Sequence, residues 1–251
     1  MRPRMRQARI AELVQKHRQV TVDALAARFE ASRETIRRDL STLAESGAVQ
    51  KFHGGARLPR TEPEGPFQER MAQNAAAKQT IATKAAALFS PGQTLFIDTG
   101  STTLLCAQEI AKMNGLTVVT NSSRIAATIA AQGNGSSVFL VGGRFDGDNR
   151  ETLGPTAIAQ IATFRADHAV ITIGALDAQG GIMDFNIDEA QIARAMIDNA
   201  DSVVVLADSS KFGQRGSFKV CPLERVHTLV TDKLPGAALQ KVLAAAKITV
   251  R

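Results

Sequence analysis

The sequence has no tryptophan and no tyrosine, and its only aromatic residue, phenylalanine, occurs 11 times in 251 residues. Base stacking of the kind single-strand readers use is therefore poorly supplied. Two cysteines, Cys106 and Cys221, are too few for a disulfide framework and too far apart for a metal-site spacing. No apolar run approaches the ~18 residues a spanning helix needs, so no membrane partner is expected. The chain opens on Arg2, Arg4 and Arg6, but Gln7, Arg9 and Glu12 follow where a signal peptide would turn apolar. A soluble, cytoplasmic protein is expected. With 44% hydrophobic and 22% charged residues, wholesale disorder is excluded.

Charge is present but unevenly placed. Residues 1–60 hold 13 Lys+Arg against 6 Asp+Glu, a net of +7, whereas residues 61–251 hold 17 against 18, a net of −1. The whole positive excess sits in the first quarter, as it does when a nucleic-acid-binding module is joined to a neutral domain.

That quarter has a readable pattern. Ile10, Leu13 and Val14 lie at helical spacing within residues 6–17, and residues 18–21 read as a short extended connection. A second helix starts at Val22 or Asp23 and runs to about Phe29, with Thr21 as its N-cap. Ser32 caps a third, Arg33 to Glu45, which buries Ile36, Leu40 and Leu43 and is closed by Gly47. Val49–Phe52 and Ala56–Leu58 flank His53-Gly54-Gly55 and predict a hairpin. Three helices and a wing make a winged helix-turn-helix over residues 1–58. On the third helix, Glu34, Arg38 and Ser41 face away from the core, flanked by Thr35 and Arg37, with Ser32 and Arg33 in the first turn. Such a helix enters the major groove of double-stranded DNA, where Arg can fork onto guanine and Ser or Thr can reach bases or phosphates. Arg37 and Arg38 cannot both read one base, so one reads and one holds phosphate. Lys51, His53 and Arg57 on the hairpin can touch backbone or minor groove.

Residues 59–66 carry three prolines and a glycine and read as a linker. From residue 67 to 251 a long Ala-rich helix, Phe67–Phe89, precedes short apolar strands that alternate with helices. The strands are Leu95–Ile97, Thr117–Thr120, Val138–Val141, Ala169–Ile173, Val203–Ala207, Thr228–Val230 and Ile248–Val250. This pattern predicts a Rossmann-like α/β domain with a mainly parallel sheet. Four strand ends are polar: Asp98-Thr99-Gly100-Ser101-Thr102, Thr120-Asn121-Ser122, Gly142-Gly143-Arg144 and Asp208-Ser209-Ser210-Lys211. Ligands of open α/β sheets bind at the carboxyl ends of strands, so these can converge on an anion at a helix N-terminus. Taken alone, Ser101 and Thr102 are explained equally well by a capped helix, and Asp208 with Lys211 has a surface turn pair as its alternative. The alternating Arg144, Asp146, Asp148 and Arg150 are either solvated or ligand-facing. Neither a Walker motif nor a dinucleotide fingerprint is present, so no cofactor or metal is expected. His168 and His227 sit beside strands and read as structural, Cys106 as a small core residue.

The run Ser32-Arg33-Glu34-Thr35-Ile36-Arg37-Arg38-Asp39-Leu40, followed by Leu43, Gly47 and His53-Gly54-Gly55-Ala56, resembles the DNA-binding region of DeoR/GlpR-type bacterial transcriptional regulators. The resemblance extends over nearly the whole chain. It implies a sensor domain similar in fold to ribose-5-phosphate isomerase that binds a phosphorylated sugar or polyol such as glycerol-3-phosphate. By that resemblance Gly100, Ser101 and Thr102 bind phosphate, while Asp98, Asn121, Asp177, Glu189 and Lys211 meet hydroxyls or the phosphate rim. It also implies a repressor of a sugar or polyol catabolic operon, relieved by that effector. A symmetric operator demands at least two copies of a single-headed reader, so a homo-oligomer, dimer or tetramer, is expected through the sensor domain. The alternatives are an isomerase-like enzyme fused to a DNA-binding domain, and a DNA-associated structural protein without effector. In the isomerases a loop Lys supplies the cation beside the developing enediolate. Ala178–Asp188 contains no Lys or Arg, so a non-enzymatic regulator is expected.

Overall fold

The computed structural model describes residues 3–17, 19–45, 49–52, 54–57 and 65–251. The chain divides into two compact units, Met1–Thr61 and Glu62–Arg251.

The first unit contains helices α1 (Pro3–His17), α2 (Val22–Phe29) and α3 (Arg33–Glu45), and strands β1 (Gln19–Thr21), β2 (Gln50–Phe52) and β3 (Gly55–Arg57). Its core joins Ile10 and Val14 of α1, Val22 and Leu25 of α2, and Ile36, Leu40 and Leu43 of α3 to Val49 and Ala56. Both predicted caps form: Thr21 Oγ1 accepts from the N–H of Ala24 at 3.1 Å, and Ser32 Oγ from that of Thr35 at 3.1 Å. The stretch expected as a plain connection is a third strand, β1, which pairs antiparallel with β3 and completes the wing. Gly55 belongs to β3 rather than to the hairpin tip. A Cβ on it would lie 2.3 Å from the carbonyl oxygen of Val20, so the ladder closes only on a residue without a side chain. Gly47 and His53 lie outside the described residues.

The second unit opens with α4 (Phe67–Ala72) and α5 (Ala75–Ala86). The single helix expected over 67–89 is thus corrected to two. Asn74 breaks it by adopting the left-handed conformation (φ 54°, ψ 31°), which Asn tolerates, and its side-chain amide is held by Asp208 at 3.1 Å. The chain continues through β4 (Thr94–Ile97), α6 (Ser101–Ile110), β5 (Thr117–Thr120), α7 (Ser123–Ala130), β6 (Ser137–Leu140), β7 (Arg144–Asp146), β8 (Glu151–Leu153), α8 (Pro155–Ile161) and β9 (Ala166–Thr172). It ends with β10 (Ala175–Asp177), β11 (Gly181–Asp184), α9 (Ile187–Asp198), β12 (Ala200–Leu206), β13 (Phe218–Cys221), β14 (Thr228–Val230), α10 (Ala237–Ala245) and β15 (Thr249–Val250).

Seven strands form one sheet in the order β15-β14-β12-β9-β4-β5-β6, and every neighbouring pair is parallel. Strand alternation divides its side chains between two cores. Leu95, Ile97, Val118, Val170 and Leu206 pack with α5, α6 and α7. Phe96, Val119, Ile171 and Val205 pack with α8, α9 and α10. Two antiparallel additions were not anticipated: the hairpin β7–β8, expected as an irregular charged loop, and the sheet β10-β11-β13. Each strand in them carries a charged residue, which breaks the apolar run by which the equally short parallel strands are recognised. The chain direction across the sheet reverses between β4 and β9, and that switch point is where an open α/β sheet leaves a crevice.

Candidate effector site and nucleic-acid interface

An open cleft lies at the carboxyl ends of β4, β9 and β12. Gly100, Ser101, Thr102, Glu189, Asp208 and Lys211, all singled out from the sequence, line it. A narrower recess, sharing Thr172, Asp184 and Glu189 with the cleft, adds Asp98 and Asn121.

The cleft has two chemically distinct ends. At one end α6 starts at Ser101, with Ser101, Thr102 and Thr103 buried in its first turn. Gly100 before it makes a close approach, since a Cβ there would lie 2.4 Å from Thr172 Oγ1. Lys78 from α5 donates through Nζ to Ser101 Oγ at 2.9 Å and to the carbonyl oxygen of Arg70. A buried ammonium, hydroxyls and the N-terminus of a ten-residue helix combine to favour an anion. Sequence reading missed Lys78. The signal was its place on the apolar stripe of α5, in register with Ile81, Ala82 and Ala85. A lysine at such a position is buried only for a reason.

The other end is acidic. Asp98 is buried and accepts from the N–H of Thr172 with both oxygens, at 3.1 and 3.0 Å. Burial pushes its carboxyl well above the usual range. The Thr172 N–H opposes this, while the charges of Asp184, Glu189 and Glu151 add to it. Asn121 accepts from the Thr99 N–H at 3.1 Å and donates to Glu151 Oε2 at 3.1 Å. Asn149 donates to Glu151 Oε1 at 2.9 Å and to Glu189 Oε1 at 3.3 Å. Burial raises Glu151 to about 7 against the Asn149 hydrogen bond. Carboxyls that hold protons near neutrality can donate as well as accept, which suits a partner rich in hydroxyls. Glu151 and Asn149 had not been singled out; both come from the β7–β8 hairpin.

Four expected effector residues stand elsewhere. Thr120 Oγ1 accepts from the N–H of Ser122 at 3.0 Å. Gly142 donates its N–H to Gln160 Oε1 at 2.6 Å, and Gly143 packs against the carbonyl of Leu153. Asp177 closes the turn after β10. Its carboxylate accepts from the N–H groups of Gln179 (2.7 Å) and Gly180 and from Arg215. Burial pushes that carboxyl up, but these donors outweigh it and leave the group below its ordinary value. Asp208 lines the cleft while capping Ser210, whose N–H it accepts at 3.0 Å. His168 and His227 make hydrogen bonds near the amino ends of strands, to Gln93 (3.1 Å) and the Val203 N–H (3.0 Å).

In the first unit α3 presents Arg37 and Arg38 outward, Arg38 being 80% exposed and 3.3 Å from Glu34. Thr21 and Ser32 are helix caps, and Ser32 Oγ also meets Thr35 Oγ1 at 2.8 Å. Arg33 pairs with Asp23 at 2.7 Å, and Lys51 donates to Ser41 at 2.9 Å. Of Arg57 only the backbone, in β3, is described. Sequence reading gave Asp39 no role. It is buried and ties α3 to α1 through Arg6 (2.5 Å) and Gln7 (3.0 Å), which fixes the angle at which α3 is offered.

Residues 6–62 match the DeoR-like helix-turn-helix domain, and residues 73–233 match the DeoR C terminal sensor domain. The glycerol-3-phosphate regulon repressor of Escherichia coli is 32% identical over 243 residues, covering 97% of this chain and 96% of that protein. The transcriptional regulator GlpR of Haloferax volcanii is 33% identical over 252 residues, covering 100% and 98%. Among solved structures, ribose 5-phosphate isomerase A from Methanocaldococcus jannaschii aligns over 56% of this chain and 55% of that one, with 16% identity and a TM-score of 0.41. With a helix-turn-helix unit, a parallel α/β unit and both domain matches in this order, the chain belongs to the DeoR family of transcriptional regulators.

Proposed function

We propose that this regulator represses a sugar or polyol catabolic operon and that a phosphorylated sugar or polyol, glycerol-3-phosphate being the first candidate, relieves repression. The observation that carries this is the buried Lys78 ammonium joined to Ser101 at the start of α6, opposite a carboxyl-rich recess. An ammonium, hydroxyls and unpaired helix N–H groups fit a phosphate, and Asp98, Asn121, Glu151 and Glu189 fit the hydroxyls of the same molecule. The E. coli relative at 32% identity is named for the glycerol-3-phosphate regulon.

In this reading residues 1–58 hold operator DNA through α3 and the wing, 59–66 link, and 67–251 sense the effector and assemble the homo-oligomer, a dimer or tetramer. A single helix-turn-helix reads one half-site, so a symmetric operator demands at least two copies. The protein works in the cytoplasm; among the described residues no helix is long and apolar enough to cross a membrane. Catalysis is disfavoured because Ala178–Asp188, which leads into Glu189, brings no Lys or Arg to the cleft.

The test is thermal unfolding of wild type and Lys78→Met with glycerol-3-phosphate and other phosphorylated sugars and polyols. Wild type should gain about 2.7 kcal/mol at a hundredfold excess over Kd. Lys78→Met should fold and need roughly 10- to 100-fold more ligand, the value of one charge-assisted hydrogen bond. Equal affinity in the two proteins would remove the phosphate from this end of the cleft.

A further inference from the structure

The helix that follows the linker, α4, has six residues. A helix this short cannot hold itself, because nucleation costs more than so few hydrogen bonds return. Its tertiary ties therefore decide its state, and two sets of them can be told apart. At its start Pro66 offers no side-chain cap, and the N–H of Phe67 donates instead to Asp148 Oδ2 in the β7–β8 turn at 3.1 Å. The ring of Phe67 is buried, 4.4 Å from the Arg124 guanidinium and, within the helix, 5.4 Å from that of Arg70. Neither Asp148 nor Arg124 lines the cleft.

The second group runs into the cleft. The carbonyl oxygen of Arg70 accepts from Lys78 Nζ, the donor that also holds Ser101. The guanidinium of Arg70 donates to Asn149 Oδ1, and the amide nitrogen of Asn149 serves Glu151 and Glu189. Just beyond α4, Asn74 donates to Asp208 at 3.1 Å and Ser210 at 3.3 Å. An anion arriving at Ser101 must share Lys78, and a hydroxyl arriving at Glu189 must share Asn149. Both exchanges act on the same residue of α4.

We infer that α4 is the transmitter of this regulator: occupancy of the cleft redistributes the hydrogen bonds of Lys78 and Asn149, and α4 passes that change to the linker and so to the helix-turn-helix unit. The Phe67–Asp148–Arg124 anchor is the fulcrum. It turns a change at Arg70 into a movement of the chain ahead of residue 67 instead of local fraying. The inference presupposes the effector reading above.

Full-length wild type, Phe67→Ala and Asp148→Ala test it, with glycerol-3-phosphate as probe and a duplex that wild type selects from a random library. In wild type the probe should change the Kd for DNA about tenfold or more. In both variants it should still raise the unfolding temperature, with an affinity within about threefold of wild type, yet change the Kd for DNA less than about twofold. Amide exchange of residues 67–73 in wild type should change when the probe binds. If Phe67→Ala fails to fold, Asp148→Ala carries the comparison. A folded variant with the full response, or exchange indifferent to the probe, overturns the inference and leaves the effector site standing. No binding by wild type overturns the effector reading, and the coupling with it.

Discussion

Glu151 has almost no access to water, and its carboxyl rises from 4.5 to about 7 because burial disfavours the charge. The folded chain then keeps a proton that the unfolded chain releases between those two values. Stability from this group is complete below pH 4.5 and is lost as pH rises through 7, by at most about 1.4 kcal/mol per pH unit. Glu151→Gln should flatten the decline in unfolding temperature between pH 5 and 8 without abolishing it, since buried Asp98 is shifted the same way. Calorimetry at matched ionic strength measures the two slopes, and equal slopes would mean the proton is not held there. Asp98, Gly100, Ser101 and Asn121 could be read from the sequence because each follows a strand directly. For Lys78 the stripe of α5 signals burial but not what the ammonium meets, and Glu151 gives no signal, since a helix and a hairpin bring the two to the cleft from other parts of the chain.

At the scale of elements, α3 is as well placed as its tie to α1. Asp39 occupies the inward face with Ile36, Leu40 and Leu43, where an acid is tolerated only if its charge is met. Asp39→Ala leaves Arg6, with 11% of its side chain exposed, without that partner carboxylate. It should destabilise the helix-turn-helix unit by about 3 kcal/mol and weaken DNA binding, while unfolding of residues 62–251 stays where it was. Urea titration followed by amide exchange separates the two units, and a loss shared by both would contradict the assignment. The helices and the parallel strands were legible because their apolar periods run for seven residues or more, or repeat in alternation. The break at Asn74 was not, because Asn is an ordinary helix residue until Asp208, 134 positions later, takes its amide.

For the molecule as a whole, the division of charge at the linker matters more than its sum. The +7 of residues 1–60 is concentrated on one small unit, so DNA affinity should fall steeply with salt, by roughly 0.9 log unit per tenfold salt for each phosphate neutralised. Single substitutions then assign Arg37 and Arg38 of α3. Ala at the base-reading position should cost roughly 1–3 kcal/mol and relax sequence preference. Ala at the phosphate-holding position should weaken all sequences alike and lower the salt slope by about one. Titrations at several salt concentrations on matched and mismatched duplexes distinguish the two. If neither substitution changes affinity or slope, α3 is not the reading helix.

The parallel sheet has a further consequence, in the order in which the molecule is made. Strands β4, β5 and β6 are neighbours in sequence and can pair early, whereas β4 must wait for β9, where Leu95 meets His168. Closing so long a loop is a slow step. Asp98 and Thr172 face each other across that seam, so the acidic end of the cleft exists only after the two halves of the sheet have joined. During synthesis the acidic end of the cleft is therefore absent until β4 and β9 have paired. An effector that bridges the seam would act on a newborn chain as a clasp, holding the halves together once they have met.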